Sequence, residues 1–142
     1  MILTDVNLLV YAHREDFDQH LECRQWLEET LASGEPFGMA NIVLSGFIRI
    51  VTHRKIFSPP STMTQAMAFA SAIHDRSNCV AVNPGQRHWN LFKELCTLPD
   101  VKAGLVADAY LAALAVEHGC EFATLDGDFA RFSPPLRLHR PF

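Results

Sequence analysis

The sequence predicts an α/β fold, a central parallel β-sheet flanked by helices, in one domain over residues 1–142. Three observations predict it. Short apolar β-like runs alternate with helical patterns throughout, and parallel strands need helical crossovers between them. The 142 residues are enough for one domain with a real core, and 49% apolar with 20% charged residues is ordinary globular composition. No internal repeat or low-complexity linker divides the chain.

The elements follow in order. Ile2 to Val6 reads as a short buried strand, and Leu8 to His13 as one or two helical turns. His20 to Leu31 carries Leu21, Trp26, Leu27 and Leu31 among charged residues, the pattern of an amphipathic helix closed by Ser33-Gly34. Pro36 to Met39 is a second strand. Asn41 is placed to cap a helix over Ile42 to His53. After the loop Ser58-Pro59-Pro60-Ser61, Thr64 is placed to cap a helix over Gln65 to Asp75. Cys79 to Val82 is β-like and stops at Asn83-Pro84-Gly85. Gln86 to Cys96 is helical, Leu98 to Gly104 connects, and Leu105 to His118 is a strongly apolar helix ended by Gly119. Glu121 to Leu125 is a strand, Asp126-Gly127-Asp128 a turn, and Leu136 to His139 a last strand after Ser133-Pro134-Pro135.

Composition narrows the function. A net charge of −4 lacks the basic footprint of a protein that holds nucleic acid by charge alone, so such a role needs a local basic patch or bound cations. The four cysteines form no C-x-x-C pair and read as buried thiols of a cytoplasmic protein. The N-terminus has no basic segment and Asp5 breaks its apolar run, which argues against a signal peptide. No run of 18 apolar residues suggests a membrane span. Trp26, Trp89 and the ten phenylalanines read as core or interface.

Asp5 falls at the carboxyl end of the first strand and Asp126 just past another. In open parallel sheets that edge is where ligands bind. Asp108 is the only charged residue between Ala103 and Val116, in the first turns of the apolar helix, and Asp128 follows Asp126 by two. Each has a structural alternative: Asp5 or Asp108 as a helix cap, Asp126-Gly127 as a turn dipeptide, Asp128 as a solvated surface charge. Together they are harder to dismiss. Two carboxylates about 5 Å apart repel by roughly 3 kcal/mol at an effective dielectric near 20, and three such pairs cost on the order of 10 kcal/mol. Protonation or a cation must relieve that. Hard oxygen donors suit Mg²⁺, with Mn²⁺ as a substitute, and such an ion supports phosphodiester cleavage.

ILTDVNLLVYA around Asp5, LVADAYLAALAVEHGC around Asp108 and the TLDGDFARF segment together resemble the PIN-domain nucleases, and within them the VapC toxins of toxin–antitoxin pairs. The likeness extends over the whole chain, including GFIRIVTHRKIF and PGQRHWNLF. The resemblance implies a PIN-like α/β/α sandwich, Mg²⁺-dependent endoribonuclease activity, a homodimer and a VapB-type antitoxin partner. It implies Asp5 and Asp108 as main metal ligands, Asp126 completing the acidic cluster, and Asp128 as an outer catalytic member.

One position departs from the family. Many PIN nucleases carry a glutamate in the helix after the second strand, and Gly46 aligns there. That bears on whether the site holds one metal or two. A mid-helix glycine costs roughly 1 kcal/mol against alanine, so close approach of a ligand or backbone is one rationale. On that helix Gly46, Arg49, Ile50 and His53 share a stripe opposite Leu44, Phe47, Ile48 and Val51. Arg49 and His53 are thereby expected near the acidic edge as RNA-phosphate contacts, with an ion pair from Arg49 to the carboxylates and a plain surface position for His53 as the alternatives. Asn7 is expected to orient a water or a metal-bound group, with a simple cap as the alternative. His53-Arg54-Lys55, Arg131 and Arg137 to Arg140 are further basic candidates for an RNA groove. A haloacid-dehalogenase-type phosphatase would need a second aspartate where Asn7 stands, and a receiver domain would need an acidic pair and a late lysine. The remaining alternative is a catalytically impaired PIN-fold module that binds RNA or an antitoxin.

Overall fold

A computed structural model describes all residues, 1–142. Five three-residue strands form one parallel sheet: β1 (Ile2–Thr4), β2 (Phe37–Met39), β3 (Cys79–Ala81), β4 (Glu121–Ala123) and β5 (Arg137–His139), in the order β3-β2-β1-β4-β5. Six α-helices pack around it: α1 (Val6–His13), α2 (His20–Ala32), α3 (Asn41–Val51), α4 (Met63–His74), α5 (His88–Cys96) and α6 (Gly104–Glu117). A 3-10 helix, Gly127–Phe132, follows β4. The α/β/α sandwich expected from the sequence is what the chain forms.

The central position of β1 matters most for the site. It pairs with β2 through Ile2↔Phe37 and Leu3↔Gly38, and with β4 through Ile2↔Glu121, Leu3↔Phe122 and Thr4↔Ala123. The carboxyl ends of β1 and β4 therefore stand side by side. Each parallel strand must hand the chain to a segment that runs back, so α1 and α3 start directly beyond β1 and β2. The helix α6 runs down to the start of β4, so its own start lies at the same edge. Three helix N-termini, each carrying partial positive charge, thus face the carboxyl edge.

The core is one cluster of 33 buried apolar residues, with Leu3, Phe37 and Phe122 from the sheet and Leu9, Phe47 and Leu114 from the helices among the fully buried. The helix α6 is apolar nearly all round, and Leu111 to Ala115 are all buried, as expected of a helix enclosed by its neighbours. Gly34 and Gly119 take positive φ, 80° and 64°, and end α2 and α6 without the penalty a Cβ would bring.

Several element ends differ from the sequence reading. Val6 is the first residue of α1, because Asp5 already has the extended geometry of an N-cap. Ala40, not Asn41, precedes α3 as its cap residue. Thr62 caps α4, not Thr64: its hydroxyl accepts the Gln65 N–H at 3.1 Å, and the Gln65 side chain accepts the Thr62 N–H at 2.9 Å. That is the reciprocal capping box written as Thr-x-x-Gln. The helix α3 ends at Val51, so His53 lies outside it. Asp126-Gly127-Asp128 opens a 3-10 helix in place of a simple turn. The buried stripe of α2 is His20, Cys23, Leu27 and Leu31, while Leu21 is 75% exposed. Trp89 is exposed, and only Cys23 and Cys120 are buried; Cys79 and Cys96 are half-buried. No helix is long and apolar enough to cross a membrane.

Candidate active site

Asp5 is the single residue between β1 and α1. Its N–H donates to the Ala123 carbonyl at 2.9 Å, which extends the β1–β4 ladder one residue past the strand ends. Its side chain is buried, and the Thr124 hydroxyl donates to Oδ2 at 2.8 Å. The same hydroxyl oxygen accepts the Asp126 N–H at 2.9 Å. One threonine at the exit of β4 therefore fixes both the buried carboxylate of β1 and the backbone leading into the 3-10 helix. Sequence reasoning missed Thr124. Its signal was a hydroxyl residue at a strand exit, two before an aspartate.

Asp5 carries conflicting influences. Burial pushes its carboxyl up. The Thr124 hydroxyl and the amides of Val6 and Asn7 pull it back, and the Asp126 charge adds to the rise. The side chain closes no cap hydrogen bond, so those two amides act only as nearby dipoles. The net direction is upward, the sign of a carboxylate held where its charge is not fully satisfied.

Asp108 projects from the second turn of α6 and is half-buried, too far along the helix to be its cap. Its carboxyl is pushed up to about 6, first by burial, then by the charges of Asp5, Asp126 and Asp128, with Arg131 opposing. No hydrogen bond contributes to that shift. Asp126 is half-buried and caps the 3-10 helix by accepting the Asp128 N–H on Oδ1 at 2.8 Å. Asp128 is exposed, and its Oδ1 faces an Arg131 terminal nitrogen at 3.3 Å.

The structure thus brings Asp5, Asp108, Asp126 and Asp128 to one edge from three separate elements. It does not bring Arg49 and His53 there. Arg49 is exposed and about 12 Å along α3 from its start at 1.5 Å per residue. Arg49 makes no ion pair with the carboxylates. His53 belongs to the turn after α3, where its Nδ1 accepts the Lys55 N–H at 3.1 Å. Asn7 is the second residue of α1, half-buried and beside Asp5. Gly46 faces α1: a Cβ there would sit 3.3 Å from Val6 Cγ2. Its lack of a side chain lets α3 close on α1 next to Asp5, and α3 sends no carboxylate to the edge.

The donor chemistry at this edge is entirely hard oxygen, which fits Mg²⁺ or Mn²⁺. No trio of histidine, cysteine, aspartate or glutamate side chains stands close enough to grip one ion directly. A hydrated Mg²⁺ does not require one, since it is commonly held by one or two carboxylates together with substrate phosphates. A hollow of about 530 Å³ lined by His13, Arg14, Glu15, Asp16, Ser61 and Gln65 lies at the other end of α1 and contains none of the four aspartates.

Known proteins resemble this chain over nearly its whole length. The family model of the PIN domain matches residues 2–133. The ribonuclease VapC25 of Mycobacterium tuberculosis is 40% identical over 141 residues, 99% of each chain. Ribonuclease VapC43 of the same organism is 39% identical, over 99% of this chain and 95% of its own. Among solved structures, the sarcin-ricin loop cleaving toxin VapC20 of M. tuberculosis superposes with a TM-score of 0.70 at 16% identity, covering 94% of this chain and 95% of its own. The VapBC2 complex of Rickettsia felis, bound to a DNA fragment from its promoter, gives 0.67 at 19% identity over 98% of both chains.

Proposed function

This chain belongs to the PIN-domain family, among its VapC ribonucleases, and from that premise we propose that it is a Mg²⁺-dependent endoribonuclease toxin that hydrolyses RNA phosphodiester bonds at the acidic edge. The observation that carries the reading is the convergence of Asp5, Asp108 and Asp126 from β1, α6 and the exit of β4, with the Asp5 carboxyl pushed up from its ordinary value and that of Asp108 pushed up to about 6. Such an arrangement costs stability unless a cation occupies it.

Asp5 and Asp108 would hold the ion, and Asp126 would complete its surroundings. Once held there, a divalent ion lowers the pKa of a bound water and polarises a phosphoryl oxygen. The chain's own residues set the conditions. Thr124 occupies one oxygen of Asp5 and so fixes the direction of the other. Asp108 must give up its proton to take part, which happens as pH rises through about 6. The N-termini of α1, α3 and α6 favour phosphate at the same edge. Asn7 would orient a water beside Asp5. Contact with Arg49 or His53 would require RNA to extend along α3.

Partners follow from the same premise. A VapB-type antitoxin and a second copy of the chain are proposed as binding partners.

The test is cleavage of RNA by the purified chain with and without Mg²⁺ or Mn²⁺, alongside Asp5→Asn and Asp108→Asn. Metal-dependent cleavage lost in both variants, with circular dichroism unchanged, is the expected result. The second reading, an impaired module that only binds RNA or antitoxin, is favoured by Gly46, where an added Cβ would crowd Val6 and α3 offers no carboxylate. It predicts RNA or antitoxin binding without cleavage under any metal.

A further inference from the structure

Arg131 stands apart from the other basic residues. It lies in the 3-10 helix one turn past Asp128, and it is the cation whose charge bears on Asp108. Two contacts aim its guanidinium. Nε donates to the Asp128 main-chain oxygen at 2.9 Å, and a terminal nitrogen reaches Asp128 Oδ1 at 3.3 Å. A guanidinium carries five N–H donors in a rigid fork, so three remain free. Its side chain is 30% exposed and that of Asp128 58%, so the pair itself adds little to stability. What the pair does provide is direction: a planar donor fork held at the rim of the acidic edge, the geometry that recognises phosphate.

We propose that Arg131 positions a backbone phosphate of the RNA at the acidic edge, and that Asp128 serves to hold Arg131 and is not one of the ion's ligands. The proposal rests on the ribonuclease reading above. It divides the two aspartates of the DGD stretch between separate tasks. Asp126, with one oxygen capping the 3-10 helix, keeps the other for the ion. Asp128 turns outward and fixes the arginine.

The experiment measures binding of a fluorescently labelled single-stranded RNA oligomer over a series of salt concentrations. It is done in Mg²⁺ with an Asp5→Asn background that silences cleavage. Arg131→Ala is expected to weaken binding about tenfold and to flatten the dependence of log affinity on log salt by about 0.7, the share of one single-strand phosphate contact. Arg131→Lys keeps the slope with a smaller loss. Asp128→Asn weakens binding in the same direction, and adding it to Arg131→Ala costs nothing further. An unchanged slope in Arg131→Ala, or fully additive losses from the two variants, overturns the proposal. Failure of the parent to bind RNA together with failure of the wild type to cleave it sinks the ribonuclease reading itself. Binding by the parent with a slope indifferent to Arg131 sinks only the role of the arginine.

Discussion

The helix α6 carries a carboxylate near each end, and the two are treated in opposite ways. Glu117, at the C-terminal end, is enclosed by partners. Its side chain is 7% exposed and accepts the Gly85 N–H at 2.7 Å and the Arg87 N–H at 2.9 Å. Burial pushes its carboxyl up, but those two amides, with His118 and His88, overcome the push and leave it below its ordinary value. Asp108, near the N-terminal end, has no such donors and is driven up to about 6. The helix start beside it is strained as well. Ala103 sits at φ 51°, ψ −123°, a conformation suited to glycine. One end of α6 is built to hold the loop before α5. The other leaves its carboxylate without a hydrogen-bond donor among three other acids.

The contrast can be broken at several points. The largest effect belongs to Asp5→Asn, which should reduce metal-dependent RNA cleavage on the order of a thousandfold by removing the buried ligand. Its melting temperature should not fall, since a buried charge is being removed. Next, Glu117→Ala should destabilise the fold by about 2 kcal/mol, read by urea denaturation, because two backbone N–H groups lose a charged acceptor. Turnover should be untouched while the variant stays folded. The depressed pKa also sets the sign with pH. The contribution of Glu117 is complete above its unfolded value of 4.5 and is lost as pH falls through the lower folded value, so wild type and variant should converge in acid.

Asp108→Asn should act in the opposite direction. The raised carboxyl costs nothing below the unfolded value of 3.8 and its full amount above about 6. At pH 7 the variant should gain about 1 kcal/mol after allowance for solvent screening, or roughly 4 °C in melting temperature, and nothing near pH 3. The smallest effect is Ala103→Gly, expected to stabilise by about 0.5 kcal/mol once relief of strain is set against the added freedom of the unfolded chain. A destabilised Asp108→Asn at neutral pH would show that the edge is satisfied in a way the contrast denies.

The sheet and its order of elements were legible because burial on both faces and the alternation of β and α patterns leave few alternatives. The acidic residues were legible because a lone charge in an apolar run, as at Asp5 and Asp108, must have a reason. Local hydrogen bonding was less so. The capping box lay two residues earlier than Thr64 suggested, since Thr62 and Gln65 satisfy each other's orphan amides. The end of α3 at Val51 moved His53 out of the stripe that periodicity gave it. Thr124 was invisible as a partner of Asp5, because the two are 119 residues apart in sequence and meet only through the register of β1 with β4. The Arg131–Asp128 pairing depended on the 3-10 helix, which the DGD stretch alone reads as a turn.

The most direct test of the central claim, that the edge containing Asp5 and Asp108 waits for a divalent ion, is calorimetric titration of Mg²⁺ into the wild type, Asp5→Asn and Asp108→Asn. It is done near pH 6 in buffers of different ionisation enthalpy. The expected result is binding in the wild type with net release of protons from the raised carboxyls, and loss of that signal in both variants. Binding of equal strength in either variant, or none in the wild type, would contradict it.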